Sequence, residues 1–337
     1  MLRIAGYARR ALLVGAGLVL AGCSAADGRG EAGPTLPDSG AHATAALPVV
    51  NLRVLVDTAT RGLIKNGTGA YVVPGVAALD TFRLAVDSAV AGRVAGADAL
   101  LDRYGYDVYA IREAVTQDSL VVIRERIPAG GQVARGWGTY VFNPRGQNAA
   151  DIHVNHPVDD EFSEDIAADL YRSCRCRWFL MAGARRDANA GETADMARQT
   201  ASVFHTIHDR VAVAGTRALS IHGFRVENHT GNLPAGTRLV MSNGRSTAVS
   251  QPVYTAAELT VRTRMNQAGY AAGLFGADTA YKALSATQNP QGRTSNDRLG
   301  WGHWLHLEHE RVLREDSVAW KQSNAVLRQW IIDHPAP

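Results

Sequence analysis

The residues that could do chemistry begin with a histidine at the end of a short apolar run. Ala218-Leu219-Ser220-Ile221-His222-Gly223 reads as a buried strand that delivers an imidazole to its C-terminal edge. Two other stretches are built alike. Asp151-Ile152-His153-Val154-Asn155-His156 runs into the acidic segment Asp159-Asp160-Glu161, and Trp304-Leu305-His306-Leu307-Glu308 runs into an arginine-rich turn. Imidazoles and carboxylates brought to strand ends point to a metal hydrolase. A hydrolytic zinc centre needs three protein ligands and one open position for water. His156 and His222 can supply two of them. The acid should follow His156 closely, and Asp159, Asp160, Glu161 and Glu164 all qualify. Acids at a helix start also serve as caps and as complements to the helix dipole, so position alone does not choose among them.

Those side chains need a scaffold that collects strand ends. From about residue 138, strands (139–142, 151–155, 178–182, 217–221, 237–242, 303–307) alternate with helices (160–172, 193–211, 255–268, 316–333). This pattern predicts an α/β fold with a mixed, largely parallel sheet and helices on both faces. Ligands in such sheets sit beyond the carboxyl ends of the strands, where these histidines fall. Residues 138–334 are read as the main α/β domain, and 49–137 as an N-terminal addition of unassigned role packed on it. In that addition, 49–56 reads as a strand and 61–74 as a hairpin turning at Asn66-Gly67. Residues 80–95 read as a helix capped by Asp80, followed by a helix near 97–104 and a strand over 118–127.

Three stretches together resemble the poly-γ-glutamate hydrolase family, relatives of the zinc carboxypeptidases and N-formylglutamate amidohydrolases. His156-Pro157-Val158-Asp159-Asp160-Glu161-Phe162-Ser163 is similar to the family loop in which a histidine precedes acid-x-x-Thr/Ser. Ala218 to Gly223 is similar to its strand carrying the third ligand. Leu307-Glu308-His309-Glu310-Arg311-Val312-Leu313-Arg314 is similar to its Leu-Glu-x-x-Arg-x-Leu-Arg block. The order matches, over residues 151–315. The resemblance implies a phosphorylase/hydrolase-like, zinc carboxypeptidase-like fold with one Zn²⁺ per chain on His156, Asp160 and His222. Asp160 stands one residue closer to the histidine than the family glutamate. Glu161 keeps the family distance and Asp159 the carboxypeptidase spacing, while Glu164 is the remaining alternative. The resemblance further implies Glu308 as general base, with Arg311 and Arg314 at the substrate. Arg186 and Asn189, after a strand end, join them as substrate-binding candidates. The expected activity is hydrolysis of an amide next to a carboxylate: γ-glutamyl, N-acyl amino acid or peptide C-terminus. The alternative is a ligand-binding envelope lipoprotein that keeps the fold without turnover.

The first residues read as an export signal. Arg3, Arg9 and Arg10 precede an apolar core, and Leu20-Ala21-Gly22-Cys23 resembles a lipobox, with Cys23 as the lipid attachment. Residues 24–48, rich in Gly, Ala, Pro and Ser, read as a flexible tether. The expectation is a lipid-anchored envelope protein, on the outer membrane and facing the periplasm or exterior. The net charge of +3 over 337 residues gives no argument for nucleic acid. Cys174 and Cys176 have the spacing of a poor disulfide and read as structural, with a strained redox pair as the remaining option. His205 and His208 share a helix face and read as ordinary polar positions, with a second metal as the remaining option. His153 and His306 read as buried neutral residues or partners of the site.

Overall fold

Side-chain alternation decides the sheet. In the strand Cys176–Met181, Trp178 and Leu180 enter one apolar cluster while Phe179 and Met181 enter another. Successive side chains of a strand point to opposite faces, so this strand must be covered on both. Each such large side chain contributes about 1.5–3 kcal/mol on burial. The computed structural model describes residues 46–244 and 254–337. The expected signal segment, Cys23 and nearly all of the tether lie outside the described residues.

The strands are β1 (Val49–Val50), β2 (Tyr106–Glu113), β3 (Ser119–Glu125), β4 (Thr139–Phe142), β5 (Asn148–Val154), β6 (Cys176–Met181), β7 (Arg217–Phe224), β8 (Leu239–Ser242), β9 (Ala272–Leu274) and β10 (Trp304–Glu310). They form a single mixed sheet in the order β1-β2-β3-β4-β6-β5-β7-β10-β8-β9. The central run β6-β5-β7-β10 is parallel throughout. Antiparallel pairs join β2 to β3, β3 to β4, β4 to β6 and β8 to β10. The segment before residue 138 therefore extends the same sheet, and residues 46–337 form one unit.

The helices are α1 (Leu52–Arg61), α2 (Val76–Val90), α3 (Val94–Leu101), α4 (Ser163–Cys174), α5 (Val203–Val211), α6 (Ala256–Gln267), α7 (Pro290–Leu299), α8 (Arg311–Glu315) and α9 (Ser317–Asp333). Apolar residues of α1, α4, α6 and α9 share one core with Ile152, Leu219 and Leu307. Those of α2, α3 and α5 share the other with Val108, Tyr140 and Leu180. Helices on both faces of a mixed sheet, as the alternation predicted, are the result.

Several local expectations gave way. Residues 49–56 are a strand only at Val49–Val50. Asn51 then caps α1, its side chain accepting from Arg53 N at 2.8 Å. Buried Leu52, Leu55, Val56 and Ala59 follow helical spacing, which short alternation had masked. Asn66-Gly67 sits in a loop rather than a hairpin, with Gly67 N bonded to Asp187 O. α2 starts at Val76 after Gly75, so Asp80 lies inside the helix and pairs with Arg83. The helix expected over 193–211 begins only at Val203, where Ser202 accepts from His205 N at 3.0 Å. β2, β9 and α7 went unread, and α7 is almost wholly polar, so it carries no apolar period. Cys174 and Cys176 are joined as a disulfide, contrary to the spacing argument. Arg175 between them adopts a left-handed conformation (φ 48°), which folds the chain sharply enough to bring the two Cα atoms within 5.1 Å.

Asp151 on β5 is fully buried, and neither carboxylate oxygen has a partner among the described residues. Burial pushes its carboxyl up to about 8, against the pull of Arg177. The unfolded chain ionises near 3.8. Between those values the folded state holds a proton that the unfolded state has lost, so stability falls as pH rises, by roughly 1.4 kcal/mol per unit. Asp151→Asn is therefore expected to flatten the decline. Melting curves should show the variant gaining on the parent from pH 5 to pH 8; parallel declines would contradict this account.

Candidate metal centre

The carboxyl ends of β5, β7 and β10 open onto a cavity of about 570 Å³. That is a volume suited to a small ligand. The register of β7 against β10 sets His222 beside Glu308 and Ser220 beside His306. Residues two apart share a strand face, so all four side chains stand on one side of the sheet. His156 follows the end of β5, and a turn then carries Asp160 back over it, with Asp160 N bonded to His156 O at 3.0 Å. Val158 and Phe162, on either side of Asp160, both have φ 67°. For a β-branched residue such as Val158 this costs about 1–3 kcal/mol. Glu164 holds the turn, accepting from Val158 N at 3.2 Å.

Asp160 Oδ2 lies 3.2 Å from His156 Nδ1 and 3.0 Å from His222 Nδ1. All three residues are buried, and their ligand atoms lie within 4.8 Å of one another. His156 Nε2 is 2.7 Å from Asp195 Oδ1, which also accepts from Ala197 N at 2.8 Å. An ionised carboxylate only accepts. A neutral His156 has one proton for two carboxylates; placed on Nε2, toward the nearer Asp195, it leaves the Nδ1 lone pair facing Asp160. Two acceptors facing each other at this distance repel unless a cation stands between them. A carboxylate on the far nitrogen is also what fixes metal-binding imidazoles. The second oxygen of Asp160 is taken by Arg186 Nη2 at 2.7 Å, which leaves Oδ2 for an ion. The donor set fits a divalent cation held by two imidazole nitrogens and one carboxylate oxygen.

The electrostatics agree. Burial opposes the charge on Asp160, but His156 and His222 outweigh it and hold the carboxyl well below its usual range. Burial also works against a charged His156, yet Asp160 and Asp195 push it up to about 9. His222 is brought down to about 4 by burial and by the neighbouring His306. Without an ion, then, a proton on His156 relieves the same convergence of acceptors.

The other acids after His156 are engaged elsewhere. Asp159 accepts from Arg185 Nε at 2.8 Å and Arg186 N at 2.8 Å. Glu161 is half exposed and lies 3.5 Å from Arg225. Glu164 holds the turn as described.

Glu308 lines the cavity. Its Oε1 is 2.9 Å from His306 Nε2, while Oε2 is buried with no partner among the described residues. Burial raises its proton affinity, but His306 and His222 outweigh that and keep the carboxyl below its ordinary value. It is an ionised acceptor with one free oxygen. Arg314 reaches under the site, its guanidinium bonded to the carbonyls of His309, Glu161 and Phe224. It passes so close to Gly223 that a Cβ there would lie 2.5 Å from Arg314 Cζ. The glycine after His222 is thus a packing requirement. Arg186 and Arg314 line the cavity; Asn189 and Arg311 do not. The Asn189 amide is used on both sides by the backbone of Tyr71, at 3.0 and 2.8 Å. Arg311 faces solvent and pairs with Glu315 at 2.6 Å.

Sequence reading missed Asp195, Asn155, Ser220 and Gln291 around the imidazoles, and Arg198 and Arg225 on the cavity wall. Only Ser220 carried a local signal, lying two residues before His222 on the same face. His205 and His208 make no metal group; among the described residues the one cluster of three candidate ligands is His156, Asp160 and His222. His208 Nε2 instead meets Gln291 O at 3.0 Å. His153 is brought down to about 3 by burial and by His222, as befits a neutral interior residue.

Fold and site together define an α/β protein with a buried His–Asp–His cluster, able to hold a metal ion, at the carboxyl edge of its sheet. No family model matches the chain, and no curated protein matches it. Among solved structures, a bacteriophage poly-γ-glutamate hydrolase is similar over 56% of this chain and 86% of its own, at 10% identity and a TM-score of 0.38. The Atu2144 gene product of Agrobacterium tumefaciens is similar over 56% and 90%, at 10% identity and 0.38. The LapA aminopeptidase of Legionella pneumophila is similar over 85% and 71%, at 9% identity and 0.32. Similarity at this level carries no argument, and the chemistry has to come from the side chains.

Proposed function

We propose that the chain is a zinc-dependent hydrolase of an amide next to a carboxylate, such as a γ-glutamyl bond, an N-acyl amino acid or a peptide C-terminus. The observation that carries this is the meeting of two Nδ1 atoms on Asp160 Oδ2, with the unpartnered Glu308 Oε2 in the same cavity. Two imidazoles and one carboxylate suit zinc. A bound zinc ion supplies a Lewis acid that polarises a carbonyl and acidifies water. Glu308 handles the proton. His306 anchors its Oε1, and Oε2 takes a proton from water adding to the acyl carbon. The same oxygen returns the proton to the amine nitrogen as the C–N bond breaks. Arg186, Arg198, Arg225 and Arg314 line the cavity beside Asp159, Asp160, Glu161 and Glu308, so the wall is balanced in charge, and its guanidinium groups can meet a substrate carboxylate. The similarity of three sequence motifs to poly-γ-glutamate hydrolases supports the same substrate class.

Metal analysis of tag-free protein is expected to find about one zinc per chain. Hydrolysis of γ-glutamyl and N-acyl amino acid amides should vanish with chelator and return with zinc. Undiminished hydrolysis by metal-free protein would overturn the proposal. Tight ligand binding without turnover by the zinc-loaded protein would point instead to a non-catalytic binder. The proposal includes the envelope location, with Cys23 as lipid attachment; intact-mass measurement of detergent-extracted protein should show the acylated cysteine.

A further inference from the structure

We infer that Gln291, Asn155 and Ser220 are positioning residues that hold His222 in the one neutral tautomer able to ligate through Nδ1. The inference rests on the metal reading above. It starts from an atom with no freedom, the carbonyl oxygen of Met196, which can only accept. Gln291 Nε2 lies 3.1 Å from it, and 3.4 Å from His205 Nδ1. This fixes the orientation of the Gln291 amide and turns its Oε1 toward Asn155, whose Nδ2 lies 3.2 Å away. Asn155 is fixed in turn, so its Oδ1 faces Ser220 Oγ at 2.7 Å. The Ser220 hydroxyl must donate its single proton there. Toward His222 Nε2, 3.1 Å away, it can only accept. His222 therefore carries its proton on Nε2, and its Nδ1 lone pair points at Asp160.

The chain of bonds runs through buried groups: Gln291 and Asn155 are 0% exposed and Ser220 is 1%. Reversing any member would set two oxygens or two lone pairs against each other out of reach of water, at about 1–3 kcal/mol. One amide also links both imidazoles. Met196 follows Asp195, the partner of His156, while Asn155 and Ser220 serve His222. Gln291 belongs to α7, which the apolar pattern of the sequence could not reveal.

The test reads the tautomer first. Long-range ¹H–¹⁵N spectra of histidine-labelled, metal-free protein should show His222 protonated on Nε2. Asn155→Leu frees the Ser220 hydroxyl to donate, so the Nε2–H form should lose its dominance and zinc affinity should fall about 10–100-fold. If Asn155→Leu does not fold, Ser220→Ala removes the acceptor directly and should show the same loss. An Nδ1–H form of His222 in the parent would overturn the inference. So would an unchanged tautomer and unchanged zinc affinity in a folded Asn155→Leu or Ser220→Ala protein. An Nε2–H parent that binds no zinc would support the relay while refuting the metal reading, so the two failures are distinguishable.

Discussion

Glu308→Gln is expected to lower turnover by about 10²–10⁴-fold while the zinc stays bound. Glutamine has the shape of glutamate, and its carbonyl oxygen can still accept from His306 Nε2, which sits 2.9 Å from Oε1 in the parent. What it loses is the second basic oxygen, the one buried without a partner. The other carboxylates of the cavity wall are engaged: Asp160 Oδ1 by Arg186, Asp159 by Arg185 and the backbone of Arg186, and Glu161 by Arg225 at 3.5 Å. Because Glu308 is not among the three candidate ligands, metal content should not change. The measurement pairs steady-state kinetics with metal analysis on the same preparation. Normal turnover by Glu308→Gln, on a substrate the parent cleaves, would remove Glu308 from the mechanism.

Asp160 should show the second large effect, on binding and stability together. Its two oxygens face His156, His222 and Arg186. Asp160→Ala takes away a ligand and leaves cationic partners unpaired in a buried site. Loss of one member of a buried pair typically costs about 3–5 kcal/mol. Zinc affinity should fall by more than the roughly 10–100-fold that follows loss of a supporting partner. Asp160→Asn keeps the shape and should still bind zinc far more weakly than the parent. Glu161→Gln and Glu164→Gln should bind it normally, because neither side chain points at the imidazoles. Calorimetry and zinc-dependent melting shifts separate the two properties. Parent-like zinc affinity in both Asp160 variants would move the centre elsewhere.

Much of the layout was legible because it is local. Short, almost wholly buried runs place β4 and β7 within a few residues, and the Thr255 and Asp316 caps mark the starts of α6 and α9. His222 with its glycine, and Glu308 at a strand end, could be singled out for the same reason: an apolar run and its terminus are contiguous in the chain. Local periods misled where a helix began as abruptly as α1 or was as polar as α7.

What the sequence determined by itself was the class of scaffold and the types of atom at its carboxyl edge. The choice of acid was not local. Asp159, Asp160, Glu161 and Glu164 lie within six residues, and only the turn through Val158 and Phe162 aims Asp160 at both imidazoles. Arg311 and Arg314 belong to one short motif, yet Arg314 threads beneath Gly223 while Arg311 meets solvent. Asp195 and Gln291 reach the site from 39 and 136 residues away along the chain. Tertiary structure decided these because a hydrogen bond acts over about 3 Å of space, whatever the separation in sequence.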